Sequence, residues 1–302
     1  MVVILNPVAG RGAAGAESQR VQRELRRVFP RAEFVETTAS GTSVATGEFV
    51  PGNGAWHAAK AVAFGEKMVV AAGGDGTVGE VANGLIGTSA TLGIVPMGTG
   101  NDLARYLGSP REITPAIEFL RTGNPRAVDV GKGPRGYFLN VAGCGFDAEV
   151  AEAINHRMKW LKGTTAYVAA VLATLSRYLP QRITLTVDGE AHEETVMLCA
   201  IANAGYYGGG MKIAPLASID DGKFDVILVG DVGRKEFLKF FPTVFHGGHL
   251  EHPKVKQLRG SVVQITSENL MPMLADGEEI GPTPGEFRVI PRGLNVIAPS
   301  LG

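Results

Sequence analysis

The chain has 302 residues, 45% of them hydrophobic and 20% charged, enough to bury a large core in two structural units. Its 29 basic and 30 acidic side chains leave a net charge of −1, which supplies no field for collecting nucleic acid. Cys144 and Cys199, the two cysteines, stand far apart in apolar surroundings and fit buried thiols of a reducing compartment.

Val2–Leu5 lacks the basic flank, apolar length and cleavage site of a signal peptide and reads as a first strand. Apolar runs at 33–35, 68–72 and 91–95 then alternate with helical patterns at 17–29, 56–64, 78–86 and 102–107. That alternation predicts crossover units and a mostly parallel sheet. Each strand ends in a glycine-rich or polar turn, at 6–12, 37–41, 73–77 and 97–101. Ligands of open α/β sheets bind at the carboxyl ends of the strands, so four such turns on one edge point to a phosphate ligand.

Past about Pro125 the pattern changes to helical stretches at 147–158 and 164–179, followed by β-like runs at 182–187, 195–201, 224–229, 261–265 and 287–290. A helix-rich stretch at 235–245 interrupts those runs, and the whole predicts a mainly antiparallel β unit carrying a few helices. The expected division is 1–126 and 127–292, with a return of 293–302 to the first unit left open. The most apolar helical pattern, 166–175, runs into Ser176 and Arg177, well short of the roughly 20 residues that a membrane span requires. A cytoplasmic chain is expected, peripheral to a membrane at most.

Gly73-Gly74-Asp75-Gly76-Thr77 follows a β-branched run and precedes a helical stretch containing Glu80. Glycines there let backbone approach an anion that the free N–H groups of the next helix face. Met97-Gly98-Thr99-Gly100-Asn101-Asp102 repeats this logic after the next strand, and Asn6-Pro7-Val8-Ala9-Gly10-Arg11-Gly12 after the first. Alone, the Gly-Asp-Gly string equally fits a tight turn with no ligand. Neither the Gly-x-x-x-x-Gly-Lys-Ser/Thr loop nor the Gly-x-Gly-x-x-Gly fingerprint occurs at these turns. His246, His249 and His252 lack the carboxylate or cysteine that would complete a zinc motif.

With these spacings and in this order, the three loops resemble the catalytic domain of the diacylglycerol kinase family, which includes sphingosine and ceramide kinases. The chain is most similar to its soluble bacterial members. The run from Phe138 to Asp147 (FLNVAGCGFD), Asp220-Asp221-Gly222-Lys223-Phe224-Asp225 and Asp276-Gly277-Glu278 extend the resemblance through the second half. It implies an ATP-dependent kinase that uses Mg²⁺ and acts on a lipid alcohol, diacylglycerol-like or sphingoid. The nucleotide contacts it implies are Asn6, Pro7, Val8, Ala9, Gly10, Arg11, Thr37, Gly74, Asp75, Gly76, Thr77, Val78, Gly79, Glu80 and Thr99. Arg11 stands where the family usually has lysine, and that exchange is not neutral.

Asp276 matches the family's general base, with Asp75, Asp102 and Glu278 as further cleft carboxylates. The local sequence at 275–277 favours a hairpin turn. Ser218, Asp221 and Lys223 match the ligands of a second, structural Mg²⁺, Lys223 being able to offer only its carbonyl. A lipid acceptor implies transient contact with a membrane surface. Arg157, Lys159 and Lys162 around Trp160 and Leu161, or Arg234, Lys235 and Lys239 around Phe237, Phe240 and Phe241, suit such contact, and equally suit solvated helix faces over a core. The connection at 42–54 is longer than the family pattern. Sheet edges leave a homodimer open. NAD kinase relatives share the Gly-Gly-Asp-Gly turn, and a binding module without turnover would share the fold; these are the competing readings.

Overall fold

The computed structural model describes residues 1–7, 14–38, 50–152 and 164–299. Strands β1 (Val2–Leu5), β2 (Glu33–Glu36), β3 (Met68–Gly73) and β4 (Thr91–Pro96) form a parallel sheet in the order β2-β1-β3-β4. Helices cover both faces, so β1, β3 and β4 are buried nearly throughout and need no polar alternation. Val21 and Leu25 of α1 (Ala14–Val28) and Ile113, Ile117 and Leu120 of α5 (Ile113–Thr122) pack against Val3, Leu5, Val70 and Val95. Ala58 and Ala61 of α2 (Gly54–Ala63), with Val78, Val81 and Ala82 of α3 (Asp75–Asn83), cover Val2, Ile4, Val69 and Ala71 on the other face. Because β1 lies between β2 and β3, the strand order reverses at β1/β3, which places a topological switch point between the loops that follow them.

The second half is antiparallel, as its pattern predicts. From β12 (Val262–Ser267) the order runs through β8 (Gln181–Val187), β9 (Glu190–Ala202) and β7 (Val141–Gly145) to β13 (Pro272–Ala275) and β14 (Glu278–Pro282). Strand β10 (Phe224–Gly230) pairs β9 and carries β11 (Val255–Gly260) on its other side. Phe138, Phe224 and Phe287 are fully buried where these layers meet, with ring centroids 5.6 and 6.1 Å apart. Each such ring contributes about 1.5–3 kcal/mol by leaving water.

The expected run at 287–290 and residues 293–298 of the closing segment belong to one strand, β15 (Gly285–Ala298), paired on β12 near its start and parallel to β4 near its end. A long antiparallel partner, β5 (Asn124–Lys132), follows it, with a register shift between Ile290 and Leu294. Helix α4 (Asp102–Tyr106) lies close to expectation. Helix α3 starts at Asp75 rather than 78, because Gly74 already serves as its N-cap. Helix α5 is missing from the sequence expectations, although Ile113, Ala116, Ile117 and Leu120 recur at helical spacing. Helices α6 (Phe146–Glu152) and α7 (Thr164–Leu175) follow β7, and α8 (Arg234–Phe240) gives way to a 3₁₀ turn at Phe241–Phe245. No helix among the described residues is long and apolar enough to cross a membrane.

Candidate active site

The loops after β1, β3 and β4 meet at the switch point. Asn6 donates its side-chain N–H to Thr77 Oγ1 at 2.9 Å, tying the first loop to the first turn of α3. Gly74 and Gly98 touch backbone to backbone: a Cβ on Gly98 would lie 2.6 Å from the Gly74 Cα. Only glycine permits that approach. Gly74 gives α3 no side-chain cap, so the first-turn N–H groups, which have no intrahelical partner, are available to an anion beside the exposed Gly76. Val78 and Gly79 are buried on the inner face of α3. Thr99 is exposed on the loop after β4, and Thr37 extends the β1–β2 pairing by donating its N–H to the Leu5 carbonyl at 2.8 Å. Pro7 follows Asn6 directly, while the expected contacts Val8, Ala9, Gly10 and Arg11 lie outside the described residues.

Asp75 spends its carboxylate on the neighbouring loop. Its Oδ2 accepts the Asn101 N–H at 2.7 Å and its Oδ1 the Asp102 N–H at 2.6 Å. Asn101, at φ 52°, closes the same loop by exchanging side-chain hydrogen bonds of 2.9 and 2.8 Å with the Gly98 backbone. Asp102 is buried, and its Oδ2 accepts the Gly209 N–H at 2.8 Å while Oδ1 has no partner among the described residues. Burial raises the Asp102 carboxyl above the usual carboxylate range against the pull of that N–H, and the Asp75 charge pushes the same way. Gly209 belongs to Gly208-Gly209-Gly210, three successive left-handed residues that bring the second half to this edge. That triplet was legible as a glycine run, but nothing in the sequence alone aims it at Asp102.

Asp276 faces these loops from the β13–β14 hairpin. With Gly277 it forms the two-residue turn, at φ 48° and 85°, so the turn reading is correct for the backbone. Its carboxyl nonetheless reaches the residues that lead into β7: Oδ2 accepts the Leu139 N–H at 2.7 Å, and Oδ1 the Asn140 and Val141 N–H groups at 2.9 and 3.1 Å. Burial outweighs these three bonds and, with the nearby Asp75 charge, raises the Asp276 carboxyl to about 6. Glu278, at the start of β14, raises Glu80 in the same manner across the cleft, after the larger effect of burial. Glu80 also accepts the Gly54 N–H at 2.8 Å, and Asn53 caps α2 through the Trp56 N–H. The long connection is thus anchored to α3 at its described end.

An Mg²⁺ ion in the cleft fits these residues, because the buried, unpartnered Asp102 Oδ1 calls for a cation or a water. The second expected ion does not fit. Ser218 Oγ donates to Asp220 Oδ1 at 2.9 Å, Asp221 Oδ1 accepts the Lys223 N–H at 3.0 Å, and Asp221 Oδ2 is paired with the Arg259 guanidinium. Unit charges 4 Å apart repel by about 4 kcal/mol near a protein surface, and a divalent ion beside a guanidinium doubles that. No group of three or more metal-binding side chains occurs among the described residues.

The basic patch at 157–162 lies outside the described residues. In the other patch Phe237 is buried against Phe146, Val150 and Tyr178, with Phe240 and Phe241 packed beside it, so these rings belong to a core. Of the histidines, His249 is buried with Nε2 2.9 Å from the Ile213 carbonyl, and His252 pairs with Glu236 at 3.2 Å.

A parallel sheet with glycine loops at its switch point, facing a carboxylate on an antiparallel β layer, defines the fold shared by diacylglycerol and NAD kinases. The chain belongs to the diacylglycerol kinase family: residues 1–133 match the family model described as diacylglycerol kinase catalytic domain. Residues 140–298 match the one described as YegS C-terminal NAD kinase beta sandwich-like domain. The chain is 32% identical to the diacylglycerol kinase of Bacillus subtilis (strain 168), over 98% of itself and 95% of that relative. It is 36% identical to the diacylglycerol kinase of Mycobacterium tuberculosis (strain H37Rv), over 81% of each. Two crystal structures from Bacillus anthracis str. Sterne share the fold. One, described as a diacylglycerol kinase, superposes at a TM-score of 0.75 with 23% identity, covering 99% of this chain and 96% of that one. Another superposes at 0.81 with 26% identity, covering 99% and 95%.

Proposed function

We propose that this chain transfers the γ-phosphoryl group of ATP to the primary hydroxyl of a diacylglycerol-like lipid, with Asp276 taking the hydroxyl proton. The observation that carries this reading is the setting of Asp276. An ionised carboxylate offers about four acceptor sites, and three are taken by the N–H groups of Leu139, Asn140 and Val141. One site on Oδ2 remains for a hydroxyl. A carboxyl raised to about 6 is ionised at neutral pH yet more basic than an ordinary aspartate, as a general base requires.

As the lipid oxygen bonds to the γ-phosphorus, its proton passes to Asp276, and the bond to the bridging β–γ oxygen breaks to release ADP. The first turn of α3 and the loops at Asn6 and Thr99 bind the phosphates. Asp102, with Asp75 through water, would hold Mg²⁺, which neutralises charge on the transferring group when bound. On this reading 1–126, joined by the end of β15, form the nucleotide unit, and 127–292 the acceptor unit that meets a membrane surface transiently.

The test is transfer of labelled phosphate from ATP and Mg²⁺ to diacylglycerol in mixed micelles, with sphingosine and NAD as alternative acceptors. Phosphatidic acid is the expected product, and transfer to none of the three acceptors withdraws the reading. Mass spectrometry of a phosphorylated lipid extract identifies the preferred acceptor.

A further inference from the structure

The turn from Ser218 to Lys223 braces the cleft from behind. Tyr106, at the end of α4, accepts the Ile219 N–H at 3.2 Å and donates to the Ala217 carbonyl at 2.7 Å. Asp129, buried on β5, accepts the Gly222 N–H at 2.6 Å and the Arg292 N–H at 2.8 Å, joining the turn to β15. Arg126 pairs with Asp220 at 2.6 Å. A brace of this kind, with two consecutive aspartates on a turn, is where a structural cation is expected from the family resemblance.

We infer that Arg259 fills that role, so that the turn is held by a guanidinium and needs no structural Mg²⁺. Asp225 and Arg259 are directly opposite on β10 and β11, which puts both side chains on one face of the sheet. The Arg259 Nε lies 3.2 Å from Asp225 Oδ1, while its Nη2 pairs with Asp221 Oδ2. One planar fork therefore bridges a carboxylate on the turn to a carboxylate on the strand that follows it. A lysine would not reproduce this, because the bridge uses two N–H directions fixed relative to each other. The two expected side-chain ligands are committed elsewhere: Ser218 Oγ to Asp220, and Asp221 to Arg259 through Oδ2 and to the Lys223 N–H through Oδ1. This goes beyond the proposed reaction and is independent of it, since the cleft ion sits on different residues.

The test uses the full-length wild-type chain without nucleotide. After dialysis against a chelator, its metal content is read by mass spectrometry and its Tm by calorimetry, in EDTA and then in excess Mg²⁺. The expected results are no stoichiometric divalent metal and the same Tm in both conditions. Arg259→Ala, which frees Asp221 and Asp225, is expected to melt lower in EDTA and to recover by about 3 °C or more when Mg²⁺ is added. Retention of one equivalent of metal, or a Tm that falls on chelation and returns with Mg²⁺, overturns the inference when it persists in Asp102→Asn, which lacks the cleft ligand. Should Arg259→Ala fail to fold, the wild type and Asp102→Asn decide alone.

Discussion

The dipeptide Asp-Gly occurs on both walls of the cleft, as Asp75-Gly76 and as Asp276-Gly277, and the two copies do different things. Asp75 opens helix α3 and points its carboxylate at the backbone of the adjoining loop, so it organises the glycine-loop wall. Asp276 sits in the left-handed region of a hairpin and points its carboxylate into the start of β7. The letters are the same; what differs is whether a helix or a strand follows. A carboxylate held by N–H groups from its own wall becomes structural on one side. On the other, one acceptor site is left over.

The strongest way to break this comparison is to remove both charges in turn. Asp276→Asn is expected to lower kcat about 10²–10⁴-fold with little change in ATP affinity, measured by steady-state transfer and nucleotide binding. Unchanged turnover would exclude Asp276 as the base. A finer test is pH. With Asp276 at about 6, kcat/KM should fall tenfold per unit below that value, and Asp75→Asn should shift the limb downward because the Asp75 charge helps hold Asp276 up.

Stability runs in the opposite direction from activity. Folding raises the Asp276 carboxyl above its ordinary 3.8, so its contribution is full below 3.8 and is lost as pH rises through about 6. Denaturation series at pH 4 and pH 7 measure that loss. Asp75→Ala strands the N–H groups of Asn101 and Asp102, at about 1–3 kcal/mol for each that stays dry. The smallest effect is Asn6→Ala, about 1 kcal/mol for the lost bond to Thr77, read from a denaturant midpoint.

The parallel half was legible because its strands are continuous apolar runs set between helical periods, and its glycine turns stand at predictable places. The antiparallel half was less so. Strands β13 and β14 are four and five residues long, and their hairpin was visible only as the Asp276-Gly277 turn. The partners of Asp276 are backbone N–H groups about 135 residues earlier in the chain, which carry no side-chain signature. Arg259 was invisible for a similar reason: its meaning depends on a register between β10 and β11 that no local pattern announces. Asp129 lies in β5, a strand absent from the sequence expectations, and gains its meaning only when Gly222 and Arg292 are brought to it.

Strand β15 is 14 residues long, roughly 45 Å of extended chain, and it is stitched to β12 near one end and to β4 near the other. The two walls of the cleft therefore share a single beam. Swinging them apart would tear the Asn295–Thr91 and Val296–Leu92 pairs or those from Val262 to Ile265. One strand thus ties the wall that carries Asp75 to the wall that carries Asp276. On the proposed reading, an acceptor must fit the span that this strand sets.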